Sequence, residues 1–166
     1  ESGYHNNADP WQEERYMATT IDRRTAAKLI SSRDFSGRDL RSIDASRREL
    51  KGLIAAQALL RDANFRKSDL LDADFSDANL SNAHFEEANL GRARFIRSDL
   101  EGANLSGADL RGAEFRDCSL IGASFFEKRQ DGSLLAAQMD DSTILPENLL
   151  EALTPTQRDF VLANRR

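Results

Sequence analysis

The sequence predicts a solenoid, and three observations carry that prediction. From Arg33 to Glu127 the chain reads as nineteen consecutive five-residue units with no insertion. The third residue of each is apolar: Phe35, Leu40, Ala45, Leu50, Ala55, Leu60, Phe65, Leu70, Phe75, Leu80, Phe85, Leu90, Phe95, Leu100, Leu105, Leu110, Phe115, Leu120 and Phe125. From Ala58 onward the residue two places earlier is small: alanine, except Ser68, Ser98 and Cys118. A helix repeats at 3.6 residues and a strand at 2, so a period of five fits neither. Long periodicity of this kind marks stacked units, each burying its apolar side against its neighbours.

The residue between the small and the large one is usually Asp or Asn, as in ANLSGADLRGAEF at Ala103–Phe115. This tandem A(D/N)(L/F)xx pattern resembles the pentapeptide-repeat family over about two-thirds of the chain. The resemblance implies an all-β solenoid, a right-handed quadrilateral β-helix with four fives per coil. Leu or Phe and the small residue would then point inward. Residues twenty apart would stack about 4.8 Å apart, the spacing of paired strands.

The sequence carries its own check on that register. Phe65, Phe85 and Phe125 fall on one face, with Leu105 as its exception, and Phe75, Phe95 and Phe115 on another. Leu40, Leu60, Leu80, Leu100 and Leu120 share a third, and Leu50, Leu70, Leu90 and Leu110 the fourth. The expected core is the run of central residues from Leu60 to Phe125. Ala45 and Ala55 sit at central positions, and each is preceded two places earlier by a large residue, Ile43 or Leu53. Large and small have exchanged places, which conserves volume in a packed interior.

The first coil departs from the pattern. Arg33, Arg38 and Arg48 stand where a small inward residue is expected. Burying an unpaired guanidinium is very costly. These side chains are therefore expected to reach out at the open lower end or to meet acids of the N-terminal segment.

The repeat divides the chain. Residues 1–32 are expected to form a helical cap. Asp9 suits an N-cap and Pro10 the first helical position. One or two helices are expected over about 10–31, with Met17, Ile21, Leu29 and Ile30 as a thin apolar stripe. Glu13, Glu14 and Asp22 are available to meet the first-coil arginines. Residues 33–146 are the β-helix, interrupted by an excursion at about 127–136, where Asp131-Gly132 signals a turn. The pattern then restarts out of register as AQMDD and STILP, with Met139 and Ile144 expected at the centres. Residues 147–166 are expected to form a C-terminal helical cap. Pro146 opens one helix, and Thr154 and Pro155 begin another that carries Phe160, Val161 and Leu162.

The 166 residues carry 23 basic and 28 acidic side chains, a net charge of -5. That balance argues against nucleic-acid binding through bulk positive charge. The single cysteine, Cys118, excludes an internal disulfide. It takes an alanine position and is expected to be buried and inert. His5 and His84 are far apart, and His84 replaces a motif Asp or Asn. No phosphate-cradling loop or metal-ligand spacing is present. No catalytic, cofactor-binding or metal site is therefore expected, and no apolar run reaches the length of a membrane span. The compartment stays open between the cytoplasm and, with a leader removed before Glu1, the periplasm or thylakoid lumen.

The twenty-residue rule also sorts the charges. Arg92 stacks on Asp72, Arg94 lies between Asp74 and Glu114, and Arg97 lies between Asp77 and Asp117. Arg66 lies under Glu86, and Lys67 under Glu87. Within 33–127 there are 17 acidic and 14 basic residues. The family resemblance also implies an alternative, a DNA mimic that binds DNA gyrase. That role needs a continuous acidic surface, which these ladders interrupt. The expected role is an interaction or scaffolding module with a protein partner. Outward apolar residues that the repeat does not require, Ile54, Leu59, Leu71, Ile96, Ile121 and Phe126, are the candidate partner surface. A homodimer through the C-terminal segment is a further expectation.

Overall fold

The computed structural model describes residues 23–146 and 149–164. The period of five has a backbone cause. The fifth residue of every unit from Gly37 to Gly122 has positive φ. Six of these are glycines, and the others, such as Gln57 and Asp117, lie between 53° and 61°. One left-handed residue turns the chain a corner, and the amide after it closes the turn: Ala63 N–H donates to the Leu60 carbonyl at 3.0 Å. Four corners complete a coil.

Neighbouring coils pair in parallel through one bridge per unit. The bridges join residues twenty apart, from Asp34–Ile54 through Asn104–Ser124. Each has the same bonds. Leu60 N–H donates to Asn79 O at 2.7 Å, and Asn79 N–H returns to Ala58 O at 3.0 Å.

Every central residue from Leu60 to Phe125 is fully buried. The phenylalanines stack along two faces: Phe65 on Phe85 at 5.3 Å, Phe75 on Phe95 at 5.2 Å, and Phe95 on Phe115 at 4.8 Å between centroids. Across the interior the two stacks meet edge to face, as Phe75 and Phe85 do at 5.7 Å and 77°. Burying each such side chain stabilises the fold by about 1.5–3 kcal/mol. Ser68, at a small inward position, satisfies its hydroxyl on the Phe65 carbonyl at 2.6 Å. Ile43 and Leu53 are buried beside Ala45 and Ala55. Arg33, Arg38 and Arg48 are exposed, and Arg33 Nη1 donates to the Lys51 carbonyl at 3.3 Å.

Helix α1, Arg23–Ser32, precedes the first coil. It ends where Arg33 turns left-handed at φ 52°, with Arg33 N–H on Leu29 O at 3.1 Å. Leu29 is buried in the core cluster, and Ile30 packs against it. The rest of the expected N-terminal helix, with Met17, Ile21, Glu13, Glu14 and Asp22, lies outside the described residues.

At the upper end the excursion is a β-hairpin. β1, Phe126–Lys128, pairs antiparallel with β2, Leu134–Ala136. The Asp131-Gly132 turn joins them, with Gly132 at φ 84°. Winding then resumes with a slip: Asp109 pairs with Gln138, 29 residues on, and Glu114 with Ile144, 30 residues on. The hairpin therefore adds nine residues to the twenty of a coil, and the following turn adds one more. That extra residue corrects the expected phase. Ile144 takes the outward place above Glu114 and is exposed, while Leu145 packs against the core. The physical cause is a shifted turn: Thr143 N–H closes on Asp140 O rather than on Met139 O.

Two helices follow, α2, Leu149–Ala152, and α3, Pro155–Ala163. Leu149 N–H donates to Pro146 O at 3.2 Å, and the Thr154 hydroxyl caps α3 by accepting from Gln157 N–H. Gly122 N–H bonds to Ala152 O at 3.2 Å, and Leu153 and Val161 are buried in the same core cluster.

Candidate interaction surface

The central side chains of the coils are buried, and their ion pairs lie on the outward faces. Inter-coil ion pairs run through the middle coils. Arg92 holds Asp72 through two bonds of 2.6 and 2.8 Å, and Arg97 holds Asp77 at 2.8 and 2.7 Å. Arg94 spans Asp74 at 3.5 Å and Glu114 at 3.8 Å. Lys67 lies 3.4 Å from Glu87. The Arg92 and Arg97 guanidiniums hold the Asp72 and Asp77 carboxyls below the usual carboxylate range. Exposed pairs of this kind contribute little to stability. They specify register, because a slip of one unit would break them.

The structure does not gather the six outward apolar residues into one patch. Ile54 and Ile96 lie on the face of Phe75, and Leu59 and Ile121 on the face of Leu80. Ile54, Leu59 and Ile121 are 51%, 45% and 55% exposed. Leu71 lies on the face of Leu70 and leans over Gly91, where an added Cβ would meet its Cδ1 at 2.9 Å. Phe126 is used within the chain, its ring 4.8 Å from that of Phe160.

Sequence reasoning missed a different feature. The hairpin folds against the corner formed by Lys67, Glu87 and Gly107. The Leu135 side chain occupies the space that a Cβ on Gly107 would fill, and the Glu87 side chain borders the same space. Beside it runs a groove of about 530 Å³, lined by Ser46, Arg47, Asn64, Arg66, Lys67, Glu86, Glu87, Glu127 and Leu135. At its floor Glu86 is only 8% exposed. Its Oε1 accepts from Arg66 Nη2 at 2.8 Å and Asn104 Nδ2 at 2.9 Å, and His84 Nδ1 lies 3.4 Å away. Arg66 Nη2 is also 3.0 Å from His84 Nδ1, so that nitrogen accepts when the ring is neutral. Glu86 Oε2 is buried and has no hydrogen-bond partner among the described residues. The available sequence signal was Gly107, which reads as an ordinary turn glycine but also makes room for the hairpin.

Among the described residues no group of three or more His, Cys, Asp or Glu is placed to hold a metal ion. Cys118 is buried, its thiol 3.4 Å from the Phe115 carbonyl, and burial pushes its pKa up to about 12. His5 lies outside the described residues. No helix among them is long and apolar enough to cross a membrane.

The model of the pentapeptide repeat region matches residues 56–125. Among solved structures, a pentapeptide repeat protein of the Arabidopsis thaliana thylakoid lumen is 32% identical over 58% of this chain and 72% of that one, with a TM-score of 0.34. HetL of the cyanobacterium Nostoc sp. strain PCC 7120 is 26% identical over 65% of this chain and 61% of its own, with a TM-score of 0.42. Full-length QnrB1, a plasmid-mediated fluoroquinolone resistance protein, is 16% identical over 88% of this chain and 94% of its own, with a TM-score of 0.30. No curated protein matches the chain significantly. The family model over residues 56–125 and the nineteen units in one phase show that the chain contains a pentapeptide repeat region.

Proposed function

We propose that the protein is a non-enzymatic interaction module. A filled solenoid, capped by α1 below and by α2 and α3 above, presents the groove under the β1–β2 hairpin to a partner protein. One observation carries the reading. The hairpin interrupts the repeat, seats Leu135 over Gly107 and overhangs a groove with charged walls. Nine residues that pairing of coils does not need build one wall of a concave surface, and concave surfaces are where ligands are held.

The test is capture of partners from an extract of the source organism. The double variant Arg47→Glu/Glu127→Lys reverses two groove charges, and Ile54→Lys alters a different face. Loss of the captured protein with the groove variant and retention with Ile54→Lys supports the reading. Retention with both refutes it. A supercoiling assay separates this role from gyrase-directed DNA mimicry. No gyrase inhibition is expected at micromolar protein, because Arg66, Lys67, Arg92, Arg94 and Arg97 are paired into the acidic columns.

A further inference from the structure

We infer that the outer edge of β2 is a strand-addition site, at which an extended peptide pairs with Leu134 and Ala136 and lays alternate side chains into the groove. The inference rests on the groove reading and names how a partner enters it.

The hairpin register decides which backbone groups are free. Phe126 faces Ala136, Glu127 faces Leu135, and Lys128 faces Leu134. Flanking them, Arg129 N–H donates to Ser133 O and Ala137 N–H to Phe125 O, both at 2.8 Å. Antiparallel pairs alternate between bonded and non-bonded. With 125–137 and 129–133 bonded, Glu127–Leu135 is bonded too, and the N–H and C=O of residues 126, 128, 134 and 136 point away from the hairpin axis. On the β1 side that orientation is used. Phe126 O accepts from Ser124 Oγ at 2.8 Å and from Gln157 Nε2 at 3.1 Å. On the β2 side the N–H and C=O of Leu134 and Ala136 meet no partner among the described residues.

Free edge groups are a template for another strand. β2 reads Leu-Leu-Ala, without the charge or proline that blunts an edge, and Leu134 is exposed. Alternation then fixes the partner's chemistry. The residue of an added strand beside Leu135 faces the solenoid, as Leu135 does. Arg66 and Lys67 are paired with Glu86 and Glu87, while Arg47 and Glu127 have no ion pair among the described residues. The matching peptide carries an apolar residue beside Leu135, with a base on the same face toward Glu127 and an acid toward Arg47.

The probe is acetyl-Thr-Lys-Thr-Val-Thr-Glu-Thr-amide, added to the full chain while amide hydrogen exchange is followed by NMR. In the free protein the Leu134 and Ala136 amides exchange fast and the Leu135 amide slowly. At saturation Leu134 and Ala136 are expected to slow by about tenfold or more, with a smaller change at Leu135. Leu134→Pro removes one donor at a position an edge strand tolerates. It is expected to weaken the peptide by about tenfold while leaving Tm within about 2 °C. If that variant loses the hairpin, exchange in the wild-type protein decides alone. Peptide binding with unchanged exchange at Leu134 and Ala136 overturns strand addition. So does absence of binding at millimolar peptide. The groove reading survives either result if Arg47→Glu/Glu127→Lys still abolishes partner capture, and falls with it if capture is indifferent to those charges.

Discussion

Gln157 Oε1 accepts the Phe125 N–H at 2.8 Å, doing at the top of the solenoid what the Ser124 carbonyl does for Leu105 N–H at 2.7 Å one coil below. The same amide group donates through Nε2 to Ser124 Oγ and to Phe126 O, each at 3.1 Å. A side chain on α3 thus stands in for the next coil. Gln157→Leu would leave a part-buried N–H unsatisfied, at a cost of about 1–3 kcal/mol. Thermal unfolding is expected to shift down by several degrees, since about 1 kcal/mol moves Tm by ~2–4 °C at this length. Gln157→Glu keeps the acceptor and loses both donors, so its Tm should fall between the two. An unchanged Tm for Gln157→Leu would show that α3 does not close this end.

Core and surface substitutions should separate sharply. Leu90 is fully buried, and Asp99 lies outward on a bridge to Asn79. Leu90→Ala is expected to cost about 2–5 kcal/mol. Leu90→Lys should prevent folding, because the interior offers its ammonium no partner. Asp99→Ser should change stability by less than about 1 kcal/mol, because a serine hydroxyl can still accept from the Glu101 amide. Similar melting temperatures for Leu90→Lys and Asp99→Ser would contradict the inward and outward assignment.

Two glycines at equivalent corners should respond differently to alanine. Gly37 has φ 62° and open space where a Cβ would go. Gly37→Ala should cost only the left-handed penalty, about 1–2 kcal/mol. Gly107 has φ 72° and Leu135 in that space. Gly107→Ala should therefore cost more and release the hairpin. Limited proteolysis checks this: cleavage near Arg129 should accelerate in Gly107→Ala and stay at the wild-type rate in Gly37→Ala.

Acid should destabilise the protein in a defined window. Hydrogen bonds from Arg92, Arg97 and Arg111 hold Asp72, Asp77 and Asp109 below the ordinary aspartate value. A depressed folded-state pKa gives stability that is complete above the unfolded value, about 3.9, and is lost as pH falls through the folded value. Tm should therefore drop steadily as pH falls below about 4, and Asp109→Asn should flatten part of that drop. A pH-independent Tm between about 5 and 2 would show that these pairs contribute nothing.

The core was legible in the sequence because burial recurs at every fifth residue and stacking at every twentieth. The alternation of Phe85 and Leu90, and the exchange of Ile43 with Ala45, report directly on packing. The charge columns were legible for the same reason, since Arg92 and Asp72 are neighbours only in that register. The hairpin was not, because strands of three residues, Phe126–Lys128 and Leu134–Ala136, are too short to show a period. Ile144 and Leu145 are both apolar, so the extra residue that turns one out and the other in leaves no mark on composition. The groove was hidden because its walls come from residues twenty apart and from a hairpin whose path over Gly107 is set by tertiary contact.

The register beyond the hairpin is what creates the groove, and backbone NOEs measure it directly. Contacts are expected between residues twenty apart from Asp34–Ile54 to Asn104–Ser124, then a jump to Asp109–Gln138 and Glu114–Ile144. Contacts from Asp109 to residue 129 and from Glu114 to residue 134 would mean that the coil continues without a hairpin, and would contradict both the groove and the function proposed for it.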